Sequence, residues 1–448
     1  MKHRLNDLSR EIFDDILDHG GKVYIVGGTV RDELLGIQDS HDIDVEVFHL
    51  DYNELKKLLE KYGHVNTYGQ SFAIMSLDTL KGYDFALPRK ERKIGEHHND
   101  FEVMIDKDLS LKDAISRRDL TINALMYDYQ KDELIDLVNG VDDLNKGLLR
   151  MVNPHTFDED PLRILRIASF ISRFEMKVDE VTKDHCIKMV QSGMLESLSI
   201  ERIYQEYSKI LMGVHPSLGF NFLKDIKALP DYLENLVGCY QRPDYHPEGD
   251  VWTHTMMVVD LGAACKQYSD DPLSFMWSCL LHDIGKPSVT SKEGHAPLHN
   301  EAGCALFNEV TLIQSKKMRS YINTMIMYHM HLMNMARNNS SDYKYLRLLK
   351  WIDGKVSLDD LMLISECDKL GRGFVEINQY NHYIDYINDK INRLGKEKLP
   401  PIIDGNDLIE NGFEDHSQYV ELLEMAYDLQ IQNMSKDKIL KRLRNGQG

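Results

Sequence analysis

Residues 23–48, VYIVGGTVRDELLGIQDSHDIDVEVF, decide the fold of the first part of the chain. An apolar strand over 23–26 runs into Gly27-Gly28, a helical turn carries Arg31 and Asp32, and a second strand bears Asp42 and Asp44. Strand side chains alternate faces, so Asp42 and Asp44 emerge on one side and can grip one metal ion together. A glycine pair at a strand-to-helix junction lets backbone N–H groups approach a phosphate, and the helix N-terminus beyond it favours negative charge. A phosphate cradle and a metal clamp therefore sit side by side.

Outward from this stretch, 22–26, 42–47, 72–77, 82–87 and 126–129 read as strands and 53–62 as a helix, an α/β region with a small sheet over residues 1–150. On the fourth of these strands Asp84 is a lone acid in apolar company, either a polar rim residue or a third carboxylate beside Asp42 and Asp44. Residues 88–103, PRKERKIGEHHNDFEV, are dense in charge and lack apolar periodicity, which predicts a mobile loop. In SRRDLTINAL, residues 116–125, Arg118 and Asn123 bracket an expected apolar helix start with Asp119 near its dipole.

From residue 151 onward strand signals nearly vanish and helical spacing dominates. In PHTFDEDPLRILRIASFISRF, residues 154–174, Asp160, Arg163 and Arg166 follow one another at helical spacing. Such a run is usually a surface salt-bridge stripe. An Asp and an Arg held side by side also offer the planar acceptor and donor edges of a nucleobase. The helix from Leu198, LSIERIYQEYSKILM, reads as structural packing. His254, the pair His282-Asp283, His295, His299, His329, His331 and Asp368 then fall on separate helices, and imidazoles with carboxylates are the ligand set of a divalent transition metal. Pro400-Pro401 mark a last boundary, and the final helix ends basic, as a macrodipole favours.

Composition bounds these readings. The 448 residues predict two to four domains, 42% hydrophobic and 28% charged residues suit a globular protein, and no window approaches eighteen consecutive apolar residues. A cytoplasmic chain with no membrane partner is expected. Six scattered cysteines without a CxxC pair argue against a zinc ribbon and suit small buried thiols. A formal net charge of −19 argues against indiscriminate nucleic-acid binding but leaves room for a local basic groove.

GGTVRDELLG followed by DID, SRRDLTINAL and EDPLRILR resembles the class II tRNA nucleotidyltransferases and bacterial poly(A) polymerases, and His254, His282-Asp283 and Asp368 resemble an HD phosphohydrolase domain. Together they are similar to the HD-bearing bacterial CCA-adding enzymes. The resemblance implies an α+β chain: a polymerase β-like head with a small mixed sheet over 1–150, an all-α neck over 151–215, a helical HD body over 216–395 and a helical tail over 396–448. It implies addition of C, C and A to the tRNA 3′ end from CTP and ATP.

In that comparison Gly27, Gly28 and Arg31 would hold the triphosphate, Asp42 and Asp44 would bind Mg2+, and Asp84 matches a third carboxylate. Arg118, Asp119 and Asn123 would meet ribose and triphosphate, Asp160 and Arg163 the incoming base, and Arg166 the nucleotide. His254, His282, Asp283 and Asp368 would hold Ni2+, Co2+ or Mn2+ for hydrolysis of phosphomonoesters or 2′,3′-cyclic phosphates, with His299 and His329 as ligands of a second ion. Two departures stand out. Ser169 replaces an arginine that many relatives carry, and the charged stretch 89–103 replaces a Gly- and Tyr-rich loop that governs the switch from C to A. Narrower readings are a poly(A) polymerase, a partial CC- or A-adding enzyme, and a phosphohydrolase with a non-catalytic nucleotide-binding head.

Overall fold

The computed structural model describes residues 1–37, 42–68, 74–93, 101–373 and 377–445. It divides into two compact units, Met1–Tyr207 with Asn221–Ala228, and Ser208–Phe220 with Leu229–Gly448.

In the first unit the strands β1 (Lys22–Val26), β2 (Ile43–Phe48), β3 (Val65–Tyr68), β4 (Ile74–Leu77), β5 (Leu80–Ala86), β6 (Arg89–Lys93), β7 (Phe101–Ile105), β8 (Met126–Asp128) and β9 (Glu133–Ile135) follow along the chain. Seven form one mixed sheet in the order β3-β4-β5-β2-β1-β8-β9. The β2–β5 pair is parallel and its other neighbouring pairs are antiparallel. Central β1 is buried along Val23–Val26, whereas β2 alternates buried Ile43 and Val45 with exposed Asp44, as a strand with one covered face must. Helix α1 (Asp7–Asp18) buries Ile12, Phe13 and Ile16. The Phe13 ring meets those of Tyr83, Phe85 and Tyr129 edge to face, at centroid distances of 6.4, 6.2 and 5.1 Å. Helix α2 (Gly28–Leu34) springs directly from β1, and α3 (Tyr52–Leu59) follows β2 behind an Asp51–Glu54 capping box.

Three local expectations change. The charged stretch 88–103 is not a bare loop, since β6 and β7 pair as an antiparallel hairpin; the ladder satisfies backbone groups without demanding an apolar face. Its residues 94–100, and Phe72 and Ala73 of the strand expected at 72–77, lie outside the described residues. No helix starts between Arg118 and Asn123: Thr121–Asn123 is a single 3-10 turn. There Thr121 N donates to Arg150 O at 2.9 Å and Val152 N to Asp119 O at 3.1 Å, so the backbone is spent across the chain instead of along a helix. Asp160 precedes its helix, Leu162–Phe174, and its Oδ1 accepts from Leu162 N at 3.1 Å.

The second unit is helical. Val251–Cys265, Pro272–Leu281, His299–Glu309, Lys316–Tyr328 and Leu358–Leu370 pack round a core that includes Phe275, Trp277 and Ile322. Past Pro400-Pro401, Gly405–Glu410, Tyr419–Gln430 and Lys436–Asn445 share a separate small core of Leu408, Phe413, Leu422 and Ile439. Among the described residues no helix is long and apolar enough to cross a membrane. Cys186, Cys279 and Cys367 are buried, as expected, while Cys239, Cys265 and Cys304 are half-buried.

Gly285, in the turn after His282-Asp283, has no room for a side chain. A Cβ there would lie 2.1 Å from His299 O and 2.3 Å from Gly303 N, both backbone atoms. We predict that Gly285→Ala lowers the unfolding free energy by about 3 kcal/mol or more in denaturant titrations. Gly405→Ala, where the new Cβ meets only Tyr419 Cδ2 at 4.0 Å, should leave it within about 0.5 kcal/mol.

Candidate active sites

Gly27 closes β1 with φ +69°, a backbone state that a Cβ would strain. A Cβ at Gly27 would stand 3.6 Å from Asp44 Oδ2 and 3.7 Å from Arg118 Nη1. Register brings the acids together: Val26 is opposite Asp44 across β1–β2, and Asp44 is opposite Asp84 across β2–β5. Asp42 lies one residue before β2, held through its carbonyl, which accepts from Thr29 Oγ1 at 2.8 Å. Desolvation pushes the Asp44 carboxyl up, Arg118 opposes, and Asp84 and Asp42 add to the rise. Asp84 is raised by desolvation and then by Asp42. Carboxylates raised by burial and by acidic neighbours in this way present the electrostatic environment that a hard divalent cation relieves. The same alternation carries Glu46 onto this face, where its Oε2 accepts from Arg118 Nη2 at 3.0 Å. Its spacing of two from Asp44 was the available signal.

The other predicted nucleotide-binding residues of the first unit form a chain. Arg31, buried, donates through Nη1 to Asn123 Oδ1 at 2.6 Å and through Nε to Asp32 Oδ1 at 2.8 Å. Asn123 Nδ2 donates to Asp119 Oδ1 at 3.0 Å, and Arg166 Nε to Asp119 Oδ2 at 2.7 Å. Burial would raise the Asp119 carboxyl, but Arg166 and Asn123 outweigh it and hold it below the ordinary range. Gly28 borders this network, since a Cβ there would lie 3.5 Å from Arg31 Nη2.

The side chains of Asp160 and Arg163 take separate partners, although Arg163 N donates to Asp160 O at 3.1 Å. Arg202 Nη2 donates to Asp160 Oδ2 at 2.8 Å, while Arg163 donates to Thr156 O and Arg117 O at 2.7 and 2.8 Å. Arg202 comes from the helix Ile200–Leu211, which the sequence offered only as packing. Ser169 is 4% exposed inside its helix.

In the second unit the sequence-predicted ligands converge. His254 Nε2 lies 3.0 Å from Asp368 Oδ1 and 3.8 Å from Asp283 Oδ2. Asp283 reaches His282 Nε2 at 3.2 Å with Oδ2, and His299 and His329 Nε2 at 3.4 and 3.8 Å with Oδ1. Two ligand groups result, His254-His282-Asp368 and Asp283-His299-His329, all six residues buried. Helix ends aim the rings. Nδ1 of His282, His299 and His329 each lies 2.9 Å from the carbonyl three residues back, of Cys279, Ala296 and Ile326. A ring that donates Nδ1–H to a carbonyl presents Nε2 as a free lone pair, the arrangement that metal-bound histidines use.

His282 Nε2, His299 Nε2 and both Asp283 oxygens are buried without a hydrogen-bond partner among the described residues. Lys286 Nζ stands 2.6 Å from Asp283 Oδ2 as a charge neighbour. Burial alone would raise Asp283, yet Lys286 and His282 pull it well below the carboxylate range. Burial pushes His329 down to about 3, so its imidazole is neutral and fit to ligate. Unpartnered buried donors and acceptors with this chemistry fit divalent transition metals.

His295 and His331 stand apart from the cluster, against Arg242 and against Tyr328 with Trp351. Sequence reasoning missed His246 and Glu248. Glu248 Oε1 lies 2.9 Å from His254 Nδ1 and 2.8 Å from His246 Nδ1. Both belong to the HPEGD run just ahead of His254, and that proximity was the signal.

Three family models match: the poly A polymerase head domain over residues 23–150, the probable RNA and SrmB-binding site of polymerase A over 175–236, and the HD domain over 251–372. The multifunctional CCA protein of Laribacter hongkongensis is 35% identical over 374 residues, which cover 80% of this chain and 87% of that protein. That of Nitrosospira multiformis is 36% identical over 291 residues, 63% of this chain and 66% of its own length. Among solved structures, a CCA-adding enzyme in complex with ATP superposes with a TM-score of 0.65 at 20% identity, covering 100% of this chain and 97% of its own. The Thermotoga maritima CCA-adding enzyme complexed with tRNA gives 0.61 at 20% identity, over 99% and 97%. The chain belongs to the family of the multifunctional CCA proteins.

Proposed function

We propose that this chain is a tRNA nucleotidyltransferase that adds C, C and A to tRNA 3′ ends from CTP and ATP, and that its second unit is a metal-dependent phosphohydrolase. We divide it into a head at 1–150, a neck at 151–215, an HD body at 216–395 and a tail at 396–448, and place its activity in the cytoplasm. The observation that carries the first reading is the register-aligned pair Asp44 and Asp84, with Asp42 one residue before β2, beside Gly27 and Arg118. Relatives named multifunctional CCA protein and fold neighbours titled as complexes with tRNA, ATP and CTP support it.

In the reaction an RNA 3′-hydroxyl attacks the nucleotide α-phosphate and pyrophosphate departs. Mg2+ held by Asp42 and Asp44 would ease both ends of that displacement by charge neutralisation. Gly27 and Gly28 leave the backbone open to the triphosphate, and the Arg31-Asn123-Asp119-Arg166 chain holds the ribose side rigid. Asp160 and Arg163 read the base by exchanging their present partners, Arg202 and the carbonyls of Thr156 and Arg117, for its edge. Positioning and charge supply the catalysis. A poly(A) polymerase would share this head; the HD body favours the tRNA enzyme.

For the second site, His254, His282, Asp283, Asp368, His299 and His329 would hold Ni2+, Co2+ or Mn2+, which when bound activates water for attack on phosphorus. Asp283 bridges the two groups, and the histidine carbonyl contacts fix which ring nitrogen faces them.

On tRNA lacking its 3′ end, with labelled CTP and ATP, the parent chain should yield products three nucleotides longer. Asp42→Ala with Asp44→Ala should yield none at unchanged thermal unfolding; full incorporation by the double variant would refute the head assignment. His282→Ala and Asp283→Ala should lose both bound nickel, cobalt or manganese and turnover of the substrates, read as ring opening of 2′,3′-cyclic phosphates to monoesters and as phosphate release from phosphomonoesters. Retention of either would refute the second.

A further inference from the structure

The polar chain from Arg31 through Asn123 and Asp119 to Arg166 does not end at its two arginines. The Arg31 guanidinium carbon lies 5.1 Å from the centre of the Phe170 ring, and that of Arg166 lies 5.7 Å from the same centre. Phe170 therefore closes the chain into a circuit, with hydrogen bonds along one side and a single aromatic ring joining the two guanidinium groups along the other.

Sequence spacing builds this arrangement. Arg166, Phe170 and Phe174 recur every fourth residue along the helix Leu162–Phe174, so they share one face. The Phe170 and Phe174 rings are stacked, 6.1 Å apart with 16° between their planes, and the Arg31 guanidinium lies 5.0 Å from the Phe174 ring as well. Phe170 is 6% exposed and Arg31 4%. A guanidinium lying over a ring keeps its N–H edge directed sideways for hydrogen bonds, and the attraction strengthens as water is excluded.

Charge gives the pair of rings its task. Arg31 is paired with Asp32 and Arg166 with Asp119, and Arg173 brings a third guanidinium to 4.8 Å from the Phe174 ring. Guanidinium groups gathered this closely repel one another, so each needs a fixed partner and the place suits an anion. Buried Arg31 donates to Asp32 and Asn123, whereas the Arg166 side chain is 37% exposed and can meet a nucleotide from outside.

Resting on the nucleotidyltransferase reading above, we propose that Phe170 and Phe174 are positioning residues of the nucleotide site. Phe170 holds the guanidinium groups of Arg31 and Arg166 at a fixed separation, and Phe174 backs its ring and supports Arg31. The two rings act through these arginines and not on the substrate: Arg166 is held ready for the incoming nucleoside triphosphate, and Arg31 anchors the polar chain beside Gly28. Because the same helix carries Arg163, the ring contacts also set where the base-reading group stands relative to the glycine pair.

The test uses the full chain with Mg2+ and tRNA lacking its 3′ end, and measures kcat together with KM for CTP, for ATP and for tRNA, alongside thermal unfolding. Methionine keeps the apolar bulk and removes the ring face, so Phe170→Met should raise KM for both nucleotides about three- to thirtyfold, the range of a buried cation–π contact. Its KM for tRNA should stay within about twofold, since the lost contact bears on the nucleotide groups alone. Phe174 is half-buried, so Phe174→Met decides the matter should Phe170→Met fail to fold; it should raise nucleotide KM about two- to tenfold, and Phe174→Tyr, which keeps the ring, should restore it. A merely structural role would lower the unfolding temperature and kcat with nucleotide KM unchanged. That result in the folded methionine variants, or an equal rise in KM for tRNA, overturns the positioning role while nucleotide addition by the parent chain stands. If the parent chain adds no nucleotide, or Asp42→Ala with Asp44→Ala adds as the parent does, the nucleotidyltransferase reading falls and this inference with it.

Discussion

Asp283 is 1% exposed, and a carboxylate cannot be taken out of water without compensating charge. Everything round it answers that demand. Lys286 stands 2.6 Å away, four imidazoles ring it, and the helices Val251–Cys265, Pro272–Leu281, His299–Glu309, Lys316–Tyr328 and Leu358–Leu370 are held at distances that let them deliver these groups. Gly285 and Gly303, each without a Cβ, let the turn after Asp283 touch the backbone of the His299 helix. Fold and site are thus the same packing problem: the backbone approach that closes the helices also aims the ligands.

The first unit meets the same demand in the opposite way. Asp119 is 8% exposed and is neutralised inside the protein, by Arg166 and by the amide of Asn123. Asp42, Asp44 and Asp84 are crowded instead: after desolvation, Asp84 and Asp42 add to the rise of the Asp44 carboxyl against Arg118, and Asp42 adds to that of Asp84. A buried acid with its own cation is structural support; acids clustered as closely as these suit a further cation from outside. This contrast separates the proposed nucleotide-positioning network from the proposed metal clamp.

Much of this was legible in the one-dimensional pattern. Period-two alternation in DID placed Asp42 and Asp44 on one face, and His282-Asp283 at the end of an apolar helix marked the second centre. The hairpin at 89–93 and 101–105 was not legible, because its first strand, RKERK, carries no apolar alternation and the pairing is made by the backbone ladder. The expected helix start near Asn123 failed because a contact with Arg150 and Val152, remote in sequence, took the backbone groups a helix would have used.

What the sequence by itself determined, then, is the chemistry available: acids at spacing two behind a glycine pair, and histidines with a following aspartate at helix ends. Local periodicity suffices for that, because each choice of face depends only on neighbours a few residues away. Tertiary structure alone decided the partners: Glu46 on Arg118, Arg202 on Asp160 and Glu248 on His254. Those pairings join residues from 6 to 72 positions apart. They form because buried polar groups must find partners, a constraint on the whole fold that no local pattern records.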